Sequence, residues 1–428
     1  MRRHPAPRPG GPIVTTTQWR PNILFLLVDC LRADCVDGRR RFVRVPNLLR
    51  LARGGLHATQ MIAAATTTTP CVASILTGTY SPRHGIRSLR GYRLRPHLVT
   101  LPAELQRLGY HTHADVTGPL LPAVGLDRGF TSYVFRDKGD CLDTGWGSEV
   151  IRHLTTGLPE PWFAFIHLWE LHLPRHVSRD LDSWRFGRNR YERALSSLDA
   201  NLAPVLAALD GRTLIVVHGD HGEQLGAPRH LIRFYRWQRK KLGRHFPPWA
   251  SFPVREGHGF DVWEGLIRVP FVLHCPGRVA ARRLPQLTRQ VDIMPTLLEL
   301  LGVEPPADID GRSLLPTLGS GNEPEREAYV EACGATIVDP RDYRRAIRSA
   351  RWKYIETADG TGSAQLYDVV RDPRERHNVI DREPAVAAEF REKLAERLAT
   401  DEGSEDSGLS SEEQAVVDAQ LRNLGYIE

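Results

Sequence analysis

The sequence predicts an α/β fold, a doubly wound and mostly parallel sheet followed by a smaller C-terminal α+β subdomain. Three observations carry this expectation. Short apolar runs at residues 23–28 and 214–217 read as buried strands, and each runs into a carboxylate, Asp29 and Asp220. Stretches with helical spacing lie between runs of this kind, as at residues 46–54 and 191–209. From about Asn322 the chain becomes more charged and turn-rich, and short alternating segments replace the long apolar runs.

A chain of 428 residues can bury a large core and a second, smaller one. Its hydrophobic content of 41% and charged content of 25% are those of a soluble globular protein. The net charge of +6 suits an anionic substrate or surface, and nothing in the pattern points to nucleic acid. Cys30, Cys35, Cys71, Cys141, Cys275 and Cys333 lack the spacing of a zinc knuckle or a disulfide scaffold, so they read as reduced thiols. Residues 1–20 are rich in Arg and Pro without a signal-peptide core, and the first apolar run is too short for export or for crossing a bilayer. The expectation is a cytoplasmic protein with a disordered leader.

Along the chain, a strand, a loop and the helix at 46–54 come first. Four threonines, Thr66 to Thr69, then run into Pro70 and an apolar helix at 71–76. Pro70 suits a first helical turn, which puts Thr68 and Thr69 at the helix N-terminus, where free N–H groups favour an anion. A hydroxyl there is placed either to cap the helix or to attack phosphorus or sulfur. A helix at 98–108 leads to another strand, and residues 161–169 form a further buried strand that ends in Glu170 and His172. Residues 229–244 carry seven Lys or Arg and no acid, interleaved with aromatic and aliphatic residues; a membrane or anionic head-group contact is one reading, a solvated helix the other. His258 follows, then a strand at 268–275 and a helix at 290–301 interrupted by Pro295. Residues 345–356 and 364–368 alternate as antiparallel strands, the helix at 383–397 packs on them, and an acidic linker precedes a helical tail. The expected division is 21–320 for the catalytic domain, 321–400 for the C-terminal subdomain and 401–428 for the linker and tail.

Asp220 and His221 follow the central strand on glycines, Gly219-Asp-His-Gly222. Ligand sites of open α/β sheets gather at the carboxyl ends of strands, and a carboxylate beside an imidazole offers a divalent cation an oxygen and a nitrogen. A capping turn would use the same residues. Asp29, with the same grammar far upstream, favours the metal, and Asp29, Thr68, Asp220 and His221 are expected to converge on one divalent cation.

The ordered set resembles the sulfatase branch of the alkaline-phosphatase superfamily over roughly residues 21–378. It comprises Pro21-Asn-Ile-Leu with Asp29 and Leu31-Arg-Ala-Asp34, then Ala73-Ser-Ile-Leu-Thr-Gly78 with Arg83-His-Gly85, Asp220-His-Gly-Glu223 and His258-Gly259. Arg268-Val-Pro270, Asp292-Ile-Met-Pro-Thr296, Asp310-Gly-Arg-Ser-Leu314 and Leu366-Tyr-Asp368 with Asp372-Pro373 follow. Each piece is weak and the whole, in order, is specific. The resemblance implies that Asp29, Asp220 and His221 bind the metal and that Thr68 stands at the nucleophile position. Sulfate-ester hydrolases of the family carry Cys or Ser there, converted to formylglycine, within C-x-P-x-R. This chain has Thr68-Thr-Pro-Cys-Val72 and places Cys30 where the family has a second aspartate. Threonine cannot become formylglycine; relatives with a threonine nucleophile include phosphodiesterases and phosphoryl transferases.

The function implied is hydrolysis of a small anionic sulfuric or phosphoric ester by metal-activated Thr68, with one divalent cation, Zn, Mn or Ca. His172 and His258 are candidates for protonating the leaving oxygen, and Arg83, His84 and Glu170 for holding the substrate. Group transfer to an alcohol and a catalytically silent binding or scaffold protein are the alternatives. The oligomeric state is left open.

Overall fold

The computed structural model describes residues 19–226, 256–318, 324–334, 343–401, 403 and 408–427. The basic segment 229–244, the expected boundary near residue 320 and residues 1–18 of the expected leader lie outside the described residues.

The large sheet is built from β1 (Ile23–Val28), β2 (Leu56–Ile62), β3 (His111–Val116), β4 (Ser132–Phe135), β5 (Trp162–Leu168), β6 (Leu214–Gly219), β7 (Arg268–His274) and β8 (Arg282–Arg289). The order across it is β4-β3-β5-β1-β6-β7-β2-β8. Neighbours pair in parallel except β7, which runs antiparallel to both β6 and β2. Every residue of β1 is buried, as its unbroken apolar run requires of a strand covered on both faces. Odd-numbered Ile23, Phe25 and Leu27 enter one core cluster and even-numbered Leu24, Leu26 and Val28 the other. Phe25 meets Phe165 of β5 at 5.1 Å between ring centroids. Each such side chain contributes roughly 1.5–3 kcal/mol by leaving water.

Helices cover the two faces. α1 (Pro46–Gly54) and α4 (Arg190–Ala208) pack on one side with α3 (Gly145–Arg152); α2 (Thr68–Thr77) and α5 (Ile293–Leu300) lie on the other. Pro295 falls in the first turn of α5, which follows a single 3-10 turn at Gln290–Asp292, so the expected interruption is a helix start. A second sheet, ordered β12-β11-β10-β9, is antiparallel throughout: β9 (Ala328–Ala332), β10 (Arg344–Arg348), β11 (Trp352–Thr357) and β12 (Gln365–Asp368). The stretch 345–356 is thus two strands joined by a turn. α6 (Pro384–Leu398) packs on this sheet, and α7 (Ser411–Leu424) returns to the large domain, burying Val417 and Leu421 in its core. No helix among the described residues is long and apolar enough to cross a membrane.

Candidate active site

Because β1 lies between β5 and β6, the ends of three strands meet. Val28 is level with Leu168 on one side and with Gly219 on the other, so the residues that follow leave the sheet together. The Asp29 N–H donates to the Leu168 carbonyl at 2.9 Å. Cys30 then adopts a left-handed conformation, φ 59°, uncommon for a residue with a side chain, and in that turn its N–H donates to Asp220 Oδ1 at 3.1 Å. After His221, Gly222 packs so tightly on the Gly265 carbonyl that a Cβ would lie 2.1 Å from that oxygen. The glycine is a requirement of the crossing.

Thr68 is the first residue of α2, and its hydroxyl donates to Asp29 Oδ2 at 3.1 Å and lies 3.4 Å from His221 Nε2. His221 Nε2 is 3.3 Å from Asp220 Oδ2. Gln290 fixes the approach of this helix, accepting from the Ala64 N–H at 3.0 Å and donating to the Asp220 carbonyl at 2.8 Å. The four residues expected at a cation are therefore brought together. A fifth joins them: His167, on β5, points Nε2 at Asp29 Oδ2 from 3.6 Å, and donor atoms of Asp29, His167 and Asp220 all lie within 4.8 Å of one another.

The polarity of these groups is informative. His167 Nδ1 faces the Thr117 carbonyl at 3.2 Å and His221 Nδ1 the Gly222 carbonyl at 2.9 Å, so each Nδ1 carries the proton that it donates. In the neutral rings both Nε2 lone pairs then point into a pocket already holding two carboxylates. Asp29 Oδ1, Asp220 Oδ2 and His167 Nε2 are buried without a hydrogen-bond partner. Acceptors facing acceptors in a buried space fit a cation among them. Burial and the charge of Asp29 push the Asp220 pKa up to about 6.

His258 and His172 stand beside this cluster. The His258 ring is 4.4 Å from that of His221, and its Nδ1 donates to Glu223 Oε2 at 3.0 Å. Burial disfavours the charged ring, but Glu223 overrides it and the His258 pKa is raised. His172 stacks on Trp169 at 3.9 Å, and burial lowers its pKa to about 4. Cys30 Sγ is 3.6 Å from His258 Nδ1. Burial first, then the surrounding carboxylates, keep that thiol protonated.

Arg83, His84 and Glu170, expected to hold substrate, each have partners away from the Asp29–Asp220 cluster. Arg83 is turned to Asp308 at 2.6 Å and Asp310 at 3.9 Å. His84 is sealed behind α2, bonded to Ser74 Oγ at 3.1 Å, and burial lowers its pKa to about 3. Glu170 accepts from the Leu142 N–H at 3.1 Å. Each ends an apolar run or follows a helix, which sequence shows; the direction of its side chain is set by packing, which sequence does not. Cys71, past Pro70, donates to the Ala65 carbonyl at 3.2 Å, with its pKa raised by burial. Sequence reasoning missed His167, Glu223 and Tyr426, although Glu223 belongs to the same run as Asp220.

Residues 21–303 match the family described as Sulfatase, and residues 259–403 match N-sulphoglucosamine sulphohydrolase, C-terminal. N-acetylgalactosamine-6-O-sulfatase of Bacteroides thetaiotaomicron is 24% identical over 66% of this chain and 55% of its own length. Arylsulfatase D of Homo sapiens is 24% identical, covering 89% of this chain and 88% of that protein. The chain thus spans about half the length of the first relative and most of the second. Among solved structures, phosphonate monoester hydrolase of Agrobacterium radiobacter superposes with a TM-score of 0.67 at 22% identity, over 89% of this chain and 96% of that one. BT4656, solved in complex with its substrate D-Glucosamine-2-N, 6-O-disulfate, gives a TM-score of 0.66 at 18% identity, over 92% of this chain and all of that one. These likenesses carry the fold.

Proposed function

Because this chain belongs to the sulfatase family, we propose that it is a metal-dependent hydrolase of sulfuric or phosphoric esters in which Thr68 attacks in line. The observation that carries the reading is the pair of imidazole lone pairs, on His167 and His221, aimed with Asp29 and Asp220 at the space beside the Thr68 hydroxyl. A divalent cation held by Asp29, Asp220 and His221, with His167 as a further ligand, would supply Lewis-acid stabilisation to the Thr68 oxygen and the ester oxygens. Of Zn, Mn and Ca, two imidazoles favour the first two, since Ca takes oxygen ligands.

The chain's own groups account for the remaining chemistry. The Thr68 oxygen bonds to sulfur or phosphorus as the ester oxygen leaves, and the Thr68 proton passes to Asp29 Oδ2, its acceptor at 3.1 Å. His258, whose protonated form the Glu223 carboxylate favours, gives a proton to the leaving oxygen. Water then displaces Thr68 from the sulfo- or phospho-threonine, returning one proton to His258, while Asp29 returns the other to Thr68. The free N–H groups at the start of α2 favour the anion throughout. The sulfated sugar bound to BT4656 and the name of the phosphonate hydrolase support testing sulfate, phosphate and phosphonate esters side by side.

The test is a panel of aryl sulfate, phosphate monoester, phosphodiester and phosphonate, assayed after reconstitution with Zn, Mn or Ca. Thr68→Ala should abolish turnover of the preferred ester while keeping bound metal. Thr68→Ala turnover at the wild-type rate would end the nucleophile assignment.

A further inference from the structure

The geometry points to Tyr426 as a positioning residue of this site, supplied by a helix that lies outside both segments matching known families. The inference rests on the reading of His172 and His258 as site residues given above.

α7 brings Tyr426 to the site. Ser410 and Glu413 form a reciprocal cap at its start, and Val417 and Leu421 are buried in the main core. Arg90 grips Asp418 with two bonds of 2.7 Å, and Gln420 donates to the Gly118 carbonyl at 3.0 Å. Gly425, φ 80°, ends the helix in the left-handed region, and the Tyr426 N–H turns back to the Leu421 carbonyl at 2.9 Å. That reversal sends the phenol inward. Its hydroxyl lies 2.6 Å from His172 Nε2 and 3.2 Å from His258 Nε2.

The two Nδ1 contacts and the shorter phenol contact, 2.6 Å, set the direction of the hydrogen bonds through these rings. His172 Nδ1 faces the Leu173 carbonyl at 2.7 Å and must donate, which leaves Nε2 as an acceptor for the phenol proton. The phenol oxygen then accepts from His258 Nε2–H, the proton that the leaving oxygen takes in turnover, while His258 Nδ1–H stays on Glu223. Tyr426 therefore links a ring that donates from both nitrogens to one that accepts, and it holds their centroids 5.3 Å apart at 64°. With Trp169 stacked behind His172, the two rings have a single relative orientation. A phenylalanine would keep the wedge and lose both hydrogen bonds.

The test uses the full chain with 15N-labelled histidine, wild type against Tyr426→Phe and Tyr426→Ala. In the wild type, the His172 Nε2 signal, assigned through its absence in His172→Gln, should be that of a hydrogen-bonded imine. In Tyr426→Phe it should move downfield toward the free imine. On the ester that the wild type turns over, kcat of Tyr426→Phe should fall about tenfold with KM nearly unchanged, and Tyr426→Ala should fall further. Histidine spectra identical in wild type and Tyr426→Phe would overturn the inference. So would turnover by Tyr426→Phe equal to or faster than the wild type; a faster rate would mean that the phenol blocks these nitrogens. The spectra decide the matter even if no ester in the panel is a substrate, so failure of the proposed function and failure of this inference are separable.

Discussion

Asp292 lies between Arg289, at 2.7 Å, and Arg326, at 3.0 Å, and accepts from the N–H groups of Arg289 at 3.0 Å and Arg312 at 2.9 Å. Asp29 and Asp220 are buried as deeply, yet among the described residues no Arg or Lys lies within ion-pair reach of either. Their neighbours are imidazoles, a threonine hydroxyl, the N–H groups of Cys30 and His221 on Asp220, and each other. Both places take carboxylates out of water, at a cost of several kcal/mol per ion. At Asp292 the fold supplies the opposing charge itself, and the result ties α5 to the strand before it. At Asp29 and Asp220 the opposing charge is left to come from elsewhere.

If that contrast is right, the two sites respond to neutralisation in opposite ways. The largest effect is expected from Asp220→Asn, which should lower kcat/KM on the preferred ester about a thousandfold, equivalent to ~4 kcal/mol of transition-state stabilisation. The same change should leave the metal-free protein as stable as the wild type or more so, because a buried charge facing another has been removed. Urea denaturation after chelation reads this directly, and a large loss of stability in the metal-free state would erase the contrast.

Asp292→Asn should do the reverse. Two buried arginines would be left facing an amide, which costs about 3–5 kcal/mol, while kcat of the folded fraction stays close to that of the wild type. A variant that is fully stable but inactive would place Asp292 with the site instead of with the scaffold.

The smallest effect sharpens the comparison at a further, partly buried carboxylate, Glu264. It pairs with Arg348 at 2.8 Å and Lys353 at 3.8 Å, and Lys353 also meets Glu375. Burial opposes its ionisation, but Arg348 and Lys353 lower its pKa below the ordinary 4.5. A lowered carboxylate stabilises the fold above its unfolded pKa, and that contribution is lost as pH falls through the folded value. Glu264→Gln should therefore be less stable than the wild type at neutral pH, with the difference closing below about pH 4.5. A difference that stays constant on acidification would show that the pair contributes nothing through its charge.

The sheet was legible because its strands are continuous apolar runs, and a run buried on both faces has few other ways to fold. Asp29, Thr68, Asp220 and His221 were legible because each stands where such a run or a helix begins or ends. His167 was not: it sits inside an apolar run, Trp162–Leu168, where a histidine reads as core, and only the pairing of β5 with β1 turns it toward Asp29. The contacts of Arg83 and His84 were hidden for a related reason. Their place in a motif was clear, but Asp308, Asp310 and Ser74, which draw them away, belong to other segments. Tyr426 carries no local signal at all, since its role depends on where Val417 and Leu421 dock.

The bond from Cys30 to Asp220 spans 190 residues, and β5, carrying His167, is placed between them in the chain. During synthesis, at roughly 5–20 residues per second, Asp29 is thus made well over several seconds before the partner that completes its donor set. Until β6 is made the chain holds Asp29, Thr68 and His167 but neither Asp220 nor His221, so on the proposed reading the donor set for a divalent ion is incomplete until β1 is flanked on both sides. On the proposed reading, loading of a cation would be a readout of finished folding, and an ion added early in refolding should leave the rate of sheet formation unchanged while stabilising its end point.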